Sequence, residues 1–404
     1  MISLKQAQEL SLKYTKETNE ENVDLFSSLL RVLKKDIYAD IDIPNFNRSA
    51  MDGYAVKSED LKNANKDNPI KLDLIERLPA GYIAKQIITF GKAIKIMTGA
   101  MMPNGADAVV MIEDTEIKED KILVFKSIKK GENIFFKGED LKKGELVLEK
   151  GNIIRSQELS ILASLNKSLV SVSKKPKIGI ISTGDELVEI GKDLKQGQIR
   201  ESNSFSIAGA CILSGAEPLV LGISKDNKED LLKKFNNIKE LDIIILSGGV
   251  SIGDYDIVKD ILIKDLGVHQ IFWKVSIKPG KPIFFGCLND MLVFGLPGYP
   301  TSSMIAFELL VRPVILKMLG KNNVFRSHFK AELKKDIKRK SGRQEFQRAI
   351  LTYENGKYFV MPTFFQLSSV VISMIKANCL IIIPEEISEI KFGEMVEIML
   401  LDEK

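Results

Sequence analysis

Histidine is almost missing from the 404 residues: only His269 and His328 occur. A Ser-His-Asp triad or a histidine-built zinc site therefore lacks its parts. Any metal should be held by oxygen. Cysteine is scarce as well. Cys211, Cys287 and Cys379 are far apart and odd in number. Neither a disulfide framework nor a CxxC site follows, and a reduced, cytoplasmic chain is expected. No apolar run approaches the roughly 18 residues of a membrane span. The opening Met1-Ile-Ser-Leu-Lys5 has no apolar signal core. An excess of one charge is also absent, with 58 Lys and Arg against 54 Asp and Glu. These charges are interleaved, which reads as a solvated surface and not as a nucleic-acid stripe. The densest basic stretch, Lys334-Lys335-Asp336-Ile337-Lys338-Arg339-Lys340 continuing to Arg343, reads as an exposed strand edge guarded by lysines. Repeats and low-complexity tracts are absent.

The chain is too long for one core, and its character changes several times along its length. Residues 1–40 read as helices. Ser3 with Gln6 makes a capping-box pattern, and Leu25, Leu29, Val32 and Leu33 recur at helical spacing over Asp24–Lys35. From Pro44 to about residue 136, short alternating runs broken by turn residues predict a small β-rich domain. It contains Asp52 before a glycine, Thr98 in Ile96-Met-Thr-Gly-Ala100, and Asp107. On spacing alone, Thr98 and Asp107 read as turn chemistry. Gly138-Glu-Asp140 lies in a lysine- and glycine-rich turn. Ser156 is expected to N-cap a helix with Leu159, Leu162 and Leu165 on one face. Helical character thus returns in 137–174, and 44–136 reads as an insertion into a domain begun by 1–43.

From Lys177 the pattern is α/β. Strands are expected at Lys177–Ser182, Leu219–Ile223, Asp242–Leu246 and near Gln270–Val275, with helices between. A hairpin-like pair brackets Asn289-Asp290, and a long helix runs from Thr301 to Gly320. The run Asp242-Ile-Ile-Ile-Leu246 suits a strand buried on both faces of a parallel sheet. It leads into Ser247-Gly-Gly-Val-Ser-Ile-Gly-Asp-Tyr-Asp256, where three glycines free the backbone to turn and present N–H groups to an anion. Asp254 and Asp256 close the loop, either as helix caps or as ligands of a hard cation such as Mg²⁺. In a doubly wound sheet, ligands sit outside the carboxyl ends of the strands. There the chain places Asp185, Glu186, Asp226, Ser247, Asp254, Asp256, Lys278 and Lys281. Acidic or lysine-bearing loops after nearly every strand favour a functional site over capping. Residues 321–404 read as short strands, at Glu345–Leu351, Tyr358–Pro362, Cys379–Pro384 and Glu394–Leu401, and fit a small β-barrel or sandwich.

These residues resemble the molybdopterin molybdenumtransferase family, bacterial MoeA and the E domain of gephyrin. The resemblance spans the chain. It rests on Ser49-Ala-Met-Asp-Gly-Tyr-Ala55, Met97-Thr-Gly-Ala100, Gly138-Glu-Asp140, Ser182-Thr-Gly-Asp-Glu-Leu187 and Ser247-Gly-Gly-Val-Ser-Ile-Gly253. Lys278-Pro-Gly-Lys-Pro282, Gly295-Leu-Pro-Gly298, Gly342-Arg-Gln-Glu-Phe-Gln-Arg348 and Ala377-Asn378 follow in the same order. It implies four domains: a helical and extended dimerisation domain (1–43 with 137–174), a β-rich insertion (44–136), a doubly wound molybdopterin-binding domain like the stand-alone MoaB/Mog proteins (175–320), and a C-terminal β-barrel (321–404). It also implies insertion of molybdate into adenylylated molybdopterin with release of AMP, Mg²⁺ dependence, and a cytoplasmic homodimer with shared active sites. Upstream adenylyltransferase and downstream cofactor-handling proteins are the implied partners, with neither nucleic acid nor membrane.

The implied catalytic residues are Asp52, Thr98, Asp140, Glu186, Asp226, Asp256 and Lys278, with Glu186, Asp226 and Asp256 as metal ligands. Substrate binding falls to Thr183, Gly184, Asp185, Ser247, Gly248, Gly249, Ser251, Gly253, Lys281, Pro282, Pro297, Gly298, Ser302, Arg343, Arg348, Ser369 and Ser373. Asp52 and Thr98 are expected to reach the cleft of the partner copy. Two positions depart from the family pattern: Tyr299 stands where Asn is common, and Val370 where Arg is usual in gephyrin. Lys376 is the candidate to compensate. Adenylyl transfer from ATP to molybdopterin is the rival enzymatic reading, and a non-catalytic molybdopterin-binding scaffold is the other.

Overall fold

The computed structural model describes residues 1–236, 240–249, 257–340 and 342–401. It divides into two compact units. One comprises Met1–Lys35, Lys150–Leu159 and Ser168–Lys404; the other comprises Asp36–Glu149 and Ser160–Lys167.

The second unit is built on a six-stranded sheet whose centre includes Gly53–Val56 and Lys92–Ile96. Strand periodicity puts Tyr54 and Val56 into one apolar cluster and Ala55 into another on the opposite face. A sheet buried on both sides thus reads as an unbroken apolar run. A Cβ on Gly53 would sit 1.9 Å from the Val110 carbonyl oxygen, so the cross-strand approach requires glycine.

The N-terminal helix, Leu4–Lys13, forms with the expected Ser3/Gln6 capping box. The helix expected over Asp24–Lys35 does not form. Glu20–Asp24 is instead a strand antiparallel to Leu169–Ser173, and one 3₁₀ turn follows at Phe26–Ser28. Leu30 takes a left-handed φ of +61°. Val32 and Leu33 then bridge to Ile153 and Val172. Adjacent Val32 and Leu33 are both buried while Leu29 and Leu30 are exposed, a pattern no helical face could produce. The helix Ser156–Ser164 forms with Leu162 and Leu165 buried. Ser156 is its first residue and not its cap; the Glu158 carboxylate accepts from the Arg155 N–H at 2.8 Å instead.

The α/β part of the first unit is a six-stranded sheet. Its spatial order is Glu217–Ser224, Lys177–Thr183, Ile243–Ser247, Met291–Leu296, Phe284–Leu288 and His269–Trp273. The first four strands run parallel; Phe284–Leu288 runs against them, and His269–Trp273, antiparallel to that strand, again shares their direction. Ile243 and Ile245 pack into one cluster with Ile207 and Ile305, from the helices that cover that face. Ile244 and Leu246 pack into the opposite cluster with Leu231 and Leu262. This is a doubly wound sheet.

At the C-terminus, Gln344–Glu354, Lys357–Pro362, His328–Leu333, Met395–Leu400 and Cys379–Ile383 pair in that order, and the last returns to the first. They close a five-stranded barrel with Leu333, Val360, Ile381 and Ile398 in its core. Closure removes exposed edges. Outside it, Ile277–Lys278 of the α/β part runs parallel to Gln344–Glu345. The basic stretch is only partly the solvated edge expected. Ile337–Lys338 does pair as a short strand with Glu389–Ile390. Arg339, however, is turned inward with its side chain 2% exposed, donating to the Arg343 and Pro384 carbonyls. Among the described residues no helix is long and apolar enough to cross a membrane.

Candidate functional site

The parallel strands end in register: Thr183 pairs with Ser224, Ser182 with Ser247, and Ser247 with Leu296. The loops that follow therefore open at one edge, where they line a cleft of about 870 Å³ whose opposite wall is the barrel. Thr183, Gly184, Glu186, Asp226, Ser247, Gly248, Gly249, Pro297 and Gly298 come from the strand ends. Lys278, Lys281, Pro282, Ser302, Arg343 and Arg348 come from the remaining wall. Fifteen of the expected residues thus converge on one cavity.

The glycine turn has no room for side chains. Gly248 and Gly249 have φ of +98° and +66°. A Cβ on Gly248 would lie 2.5 Å from the Thr183 carbonyl oxygen, and one on Gly249 would lie 2.2 Å from Val258 Cγ2. Asn203 ties this turn to the next. Its Nδ2 donates to Ser247 Oγ at 2.8 Å and to the Gly298 carbonyl at 2.7 Å. Because the Gly298 oxygen can only accept, these bonds fix the amide orientation and turn Oδ1 away from them. Just before Asn203, buried Glu201 accepts from Ser182 Oγ and from Ser204 N and Oγ, holding the start of the helix Asn203–Leu213 against the sheet.

Three buried polar atoms in this cleft, Thr183 Oγ1, Asn203 Oδ1 and Asp226 Oδ1, have no hydrogen-bond partner among the described residues. Burying such atoms unpaired costs about 1–3 kcal/mol each, so a cavity that gathers three of them suits a polar ligand. Asp226 is the most telling. Its carboxyl is pushed above the usual carboxylate range, first by burial and then by the charges of Asp185 and Glu186. Asp185 accepts from the Asp226 N–H at 3.3 Å. An orphaned carboxylate oxygen that feels two further carboxylates is the donor chemistry a hard divalent cation takes, but these three residues do not by themselves form a site. No group of three His, Cys, Asp or Glu is arranged to hold a metal among the described residues. Asp256, the third expected ligand, lies outside them, as do Ser251 and Gly253.

The cationic wall is anchored on the barrel. Arg348 is almost fully buried. Its Nε donates to Ser373 Oγ at 3.1 Å, and one Nη donates to the carbonyls of Phe365 and Leu367 at 3.2 and 3.1 Å. Burial pulls its pKa down, while Glu345 opposes that shift. Lys278 pairs with Glu345 at 3.2 Å, and Arg343 donates to the Ile277 carbonyl at 3.1 Å. Ser373 is therefore a support of Arg348. Ser369 is exposed, and Gln366, Leu367 and Ser368 form the wall there. Tyr299 lines the cleft ahead of the helix that begins at Pro300.

Asp52 and Thr98 form a second constellation, in the other unit. Both the N–H and the Oγ1 of Thr98 donate to Asp52 Oδ1, at 2.7 and 2.8 Å. These bonds, the backbone one foremost, hold the Asp52 carboxyl below its usual range. Asp107 serves turn chemistry, accepting from Ser58 N and Oγ. Asp140 donates its N–H to the Ile43 carbonyl. The thiols of Cys211 and Cys379 are pushed up to about 12 by burial, so neither is a ready nucleophile.

Sequence reasoning had not assigned roles to Glu201, Asn203, Glu345 or Gln366. A signal existed for the first two: Arg200-Glu-Ser-Asn203 precedes an apolar helical run, as helix caps do. Glu345 and Gln366 gave none, since their partners are distant in sequence.

Comparison with known proteins matches three family models in succession. The MoeA N-terminal region (domain I and II) covers residues 2–166, a probable molybdopterin binding domain covers 179–317, and the MoeA C-terminal region (domain IV) covers 330–401. A molybdopterin molybdenumtransferase of Bacillus subtilis is 36% identical over 97% of this chain and 92% of its own length. One from Haemophilus influenzae is 37% identical over 98% of each. The crystal structure of a molybdopterin biosynthesis MoeA protein from Pyrococcus horikoshii superposes with a TM-score of 0.84 at 38% identity, covering 99% of this chain and all of that one.

Proposed function

The chain belongs to the molybdopterin molybdenumtransferase family, and from that premise we propose that the 870 Å³ cleft is its active site. There, in molybdenum cofactor biosynthesis, molybdate is inserted into adenylylated molybdopterin and AMP is released. The observation that carries this assignment is the convergence of three orphaned polar atoms, a glycine turn and a cationic wall on one cavity.

Both substrates are anionic, so catalysis is largely positioning and charge neutralisation. The backbone of Ser247, Gly248 and Gly249 holds phosphate. Lys281 and Arg348 cradle molybdate, with Lys278 between the two anions. Arg348 suits that role because its support by Ser373 and two carbonyls fixes the guanidinium before any anion arrives. Asp226 and Glu186, with Asp256, would hold a divalent cation. Such a cation, when bound, would supply positive charge to offset that of the phosphate. Attack by a molybdate oxygen requires no general base from the protein, and none is assigned.

The working enzyme is a cytoplasmic homodimer in which Asp52 and Thr98 complete the partner copy's cleft. It acts between a molybdopterin adenylyltransferase and cofactor-handling proteins. The four-part division with boundaries near residues 44, 137, 175 and 321 accompanies this reading. The test is AMP release by the purified chain given adenylylated molybdopterin. Release that requires molybdate and falls in Lys278→Ala is expected. A chain that instead consumes ATP to adenylylate molybdopterin, or that binds substrate without releasing AMP, would replace this reading with one of its rivals.

A further inference from the structure

Lys278 is held in the cleft from the barrel. The parallel pairing sets Lys278 in register with Glu345, and registered neighbours on paired strands project to the same face. The resulting ion pair is asymmetric. The Lys278 side chain is 45% exposed and that of Glu345 only 5%. Glu345 is fixed independently: its Oε1 accepts from Gln347 Nε2 at 3.0 Å, and its Oε2 lies 3.5 Å from Arg339 Nη1. The carboxylate is thus the anchored end and the ammonium the end presented to the cleft. A lysine has four side-chain bonds to order, and ordering them before substrate arrives removes that cost from the reaction. Burying a carboxylate is expensive unless cations offset it. A strand that needed only a barrel contact here would be served by glutamine.

We propose that Glu345 is a positioning residue: it aims the Lys278 ammonium at the reacting anions and so makes the C-terminal barrel part of the catalytic apparatus. This rests on the assignment of Lys278 to the active site. The rival is a purely structural role as counter-ion of buried Arg339.

A double-mutant cycle separates the two. AMP release at saturating molybdate is measured in single turnover for wild type, Lys278→Ala, Glu345→Gln and the double variant. If Glu345 acts through Lys278, Glu345→Gln slows release about tenfold or more in the wild-type background and less than about twofold in the Lys278→Ala background. Equal losses in both backgrounds overturn the proposal while leaving the assignment of Lys278 intact. A Lys278→Ala chain with the wild-type rate overturns both together. Glu345→Asp, which keeps the charge and shortens the reach, replaces Glu345→Gln in the cycle if the latter does not fold. It is read by the same criterion.

Discussion

Replacing Asp226 by Asn should make the protein more stable and less active. The carboxyl is held above its usual range by burial and by Asp185 and Glu186. The native state therefore binds more protons than the unfolded state between the ordinary carboxylate pKa and the raised one. Stability then falls as pH rises through that window, and the penalty is complete once the pH lies above the raised pKa. Two like unit charges about 4 Å apart repel by about 4 kcal/mol at an effective dielectric of about 20, and wider separation with solvent at the cleft mouth reduces the cost here to the order of 1 kcal/mol. The Asp226→Asn chain would shed that repulsion while keeping the shape, raising Tm by roughly 2–4 °C in the absence of divalent cations. Magnesium reverses the comparison. At a hundredfold excess over its Kd, a ligand of the native state adds about 2.7 kcal/mol, so wild type gains and Asp226→Asn does not. The assay is thermal unfolding of both chains at pH 5 and pH 8, with and without Mg²⁺, alongside AMP release. An unchanged magnesium response together with wild-type turnover in Asp226→Asn would refute the argument that this carboxylate is a cation ligand.

Lys281→Ala should raise the molybdate concentration for half-maximal AMP release about tenfold to a hundredfold, the equivalent of one charge-assisted hydrogen bond, with smaller change for the pterin substrate; an unmoved molybdate titration would place the oxyanion elsewhere. Arg348→Ala should combine loss of molybdate response with destabilisation of about 1–3 kcal/mol for each buried acceptor left unpaired, because it removes the donor from Ser373 and two carbonyls; urea unfolding at the wild-type midpoint would contradict the burial argument. Gly249→Ala forces a methyl within 2.2 Å of Val258 Cγ2 at a φ of +66°, and should cost about 1–3 kcal/mol and weaken substrate binding measured by calorimetry. Mixed dimers of Asp52→Ala and Asp226→Asn chains should recover activity that neither homodimer has; failure despite confirmed chain exchange would count against clefts shared between copies.

Legibility in the sequence followed locality. The run Ile243–Leu246 and the glycines after it are local signals, and they predicted the buried strand and the turn at Gly248-Gly249. Local spacing misled at Asp24–Lys35. Leucines there mimic a helical face, but Val32 and Leu33 are claimed by Ile153 and Val172, more than 100 residues on. Arg339 was hidden the same way. Composition put it in a surface lysine run, whereas the acceptors that turn it inward include the Pro384 carbonyl. Glu345 and Gln366 became visible only once strand pairing and barrel closure brought Lys278 and Arg348 beside them. The family resemblance supplied the cleft residues that spacing alone could not rank. The structure then separated those that line the cavity from Ser373, which supports one of them.

The central claim is that phosphate and oxyanion meet in this cleft, and anomalous diffraction at the molybdenum edge tests it most directly. Crystals of the full chain soaked with adenylylated molybdopterin and molybdate should show the molybdenum peak between Lys281 and Arg348, with phosphate density on the Ser247–Gly249 backbone. A molybdenum peak elsewhere on the protein, with this cleft holding only solvent, would contradict the account.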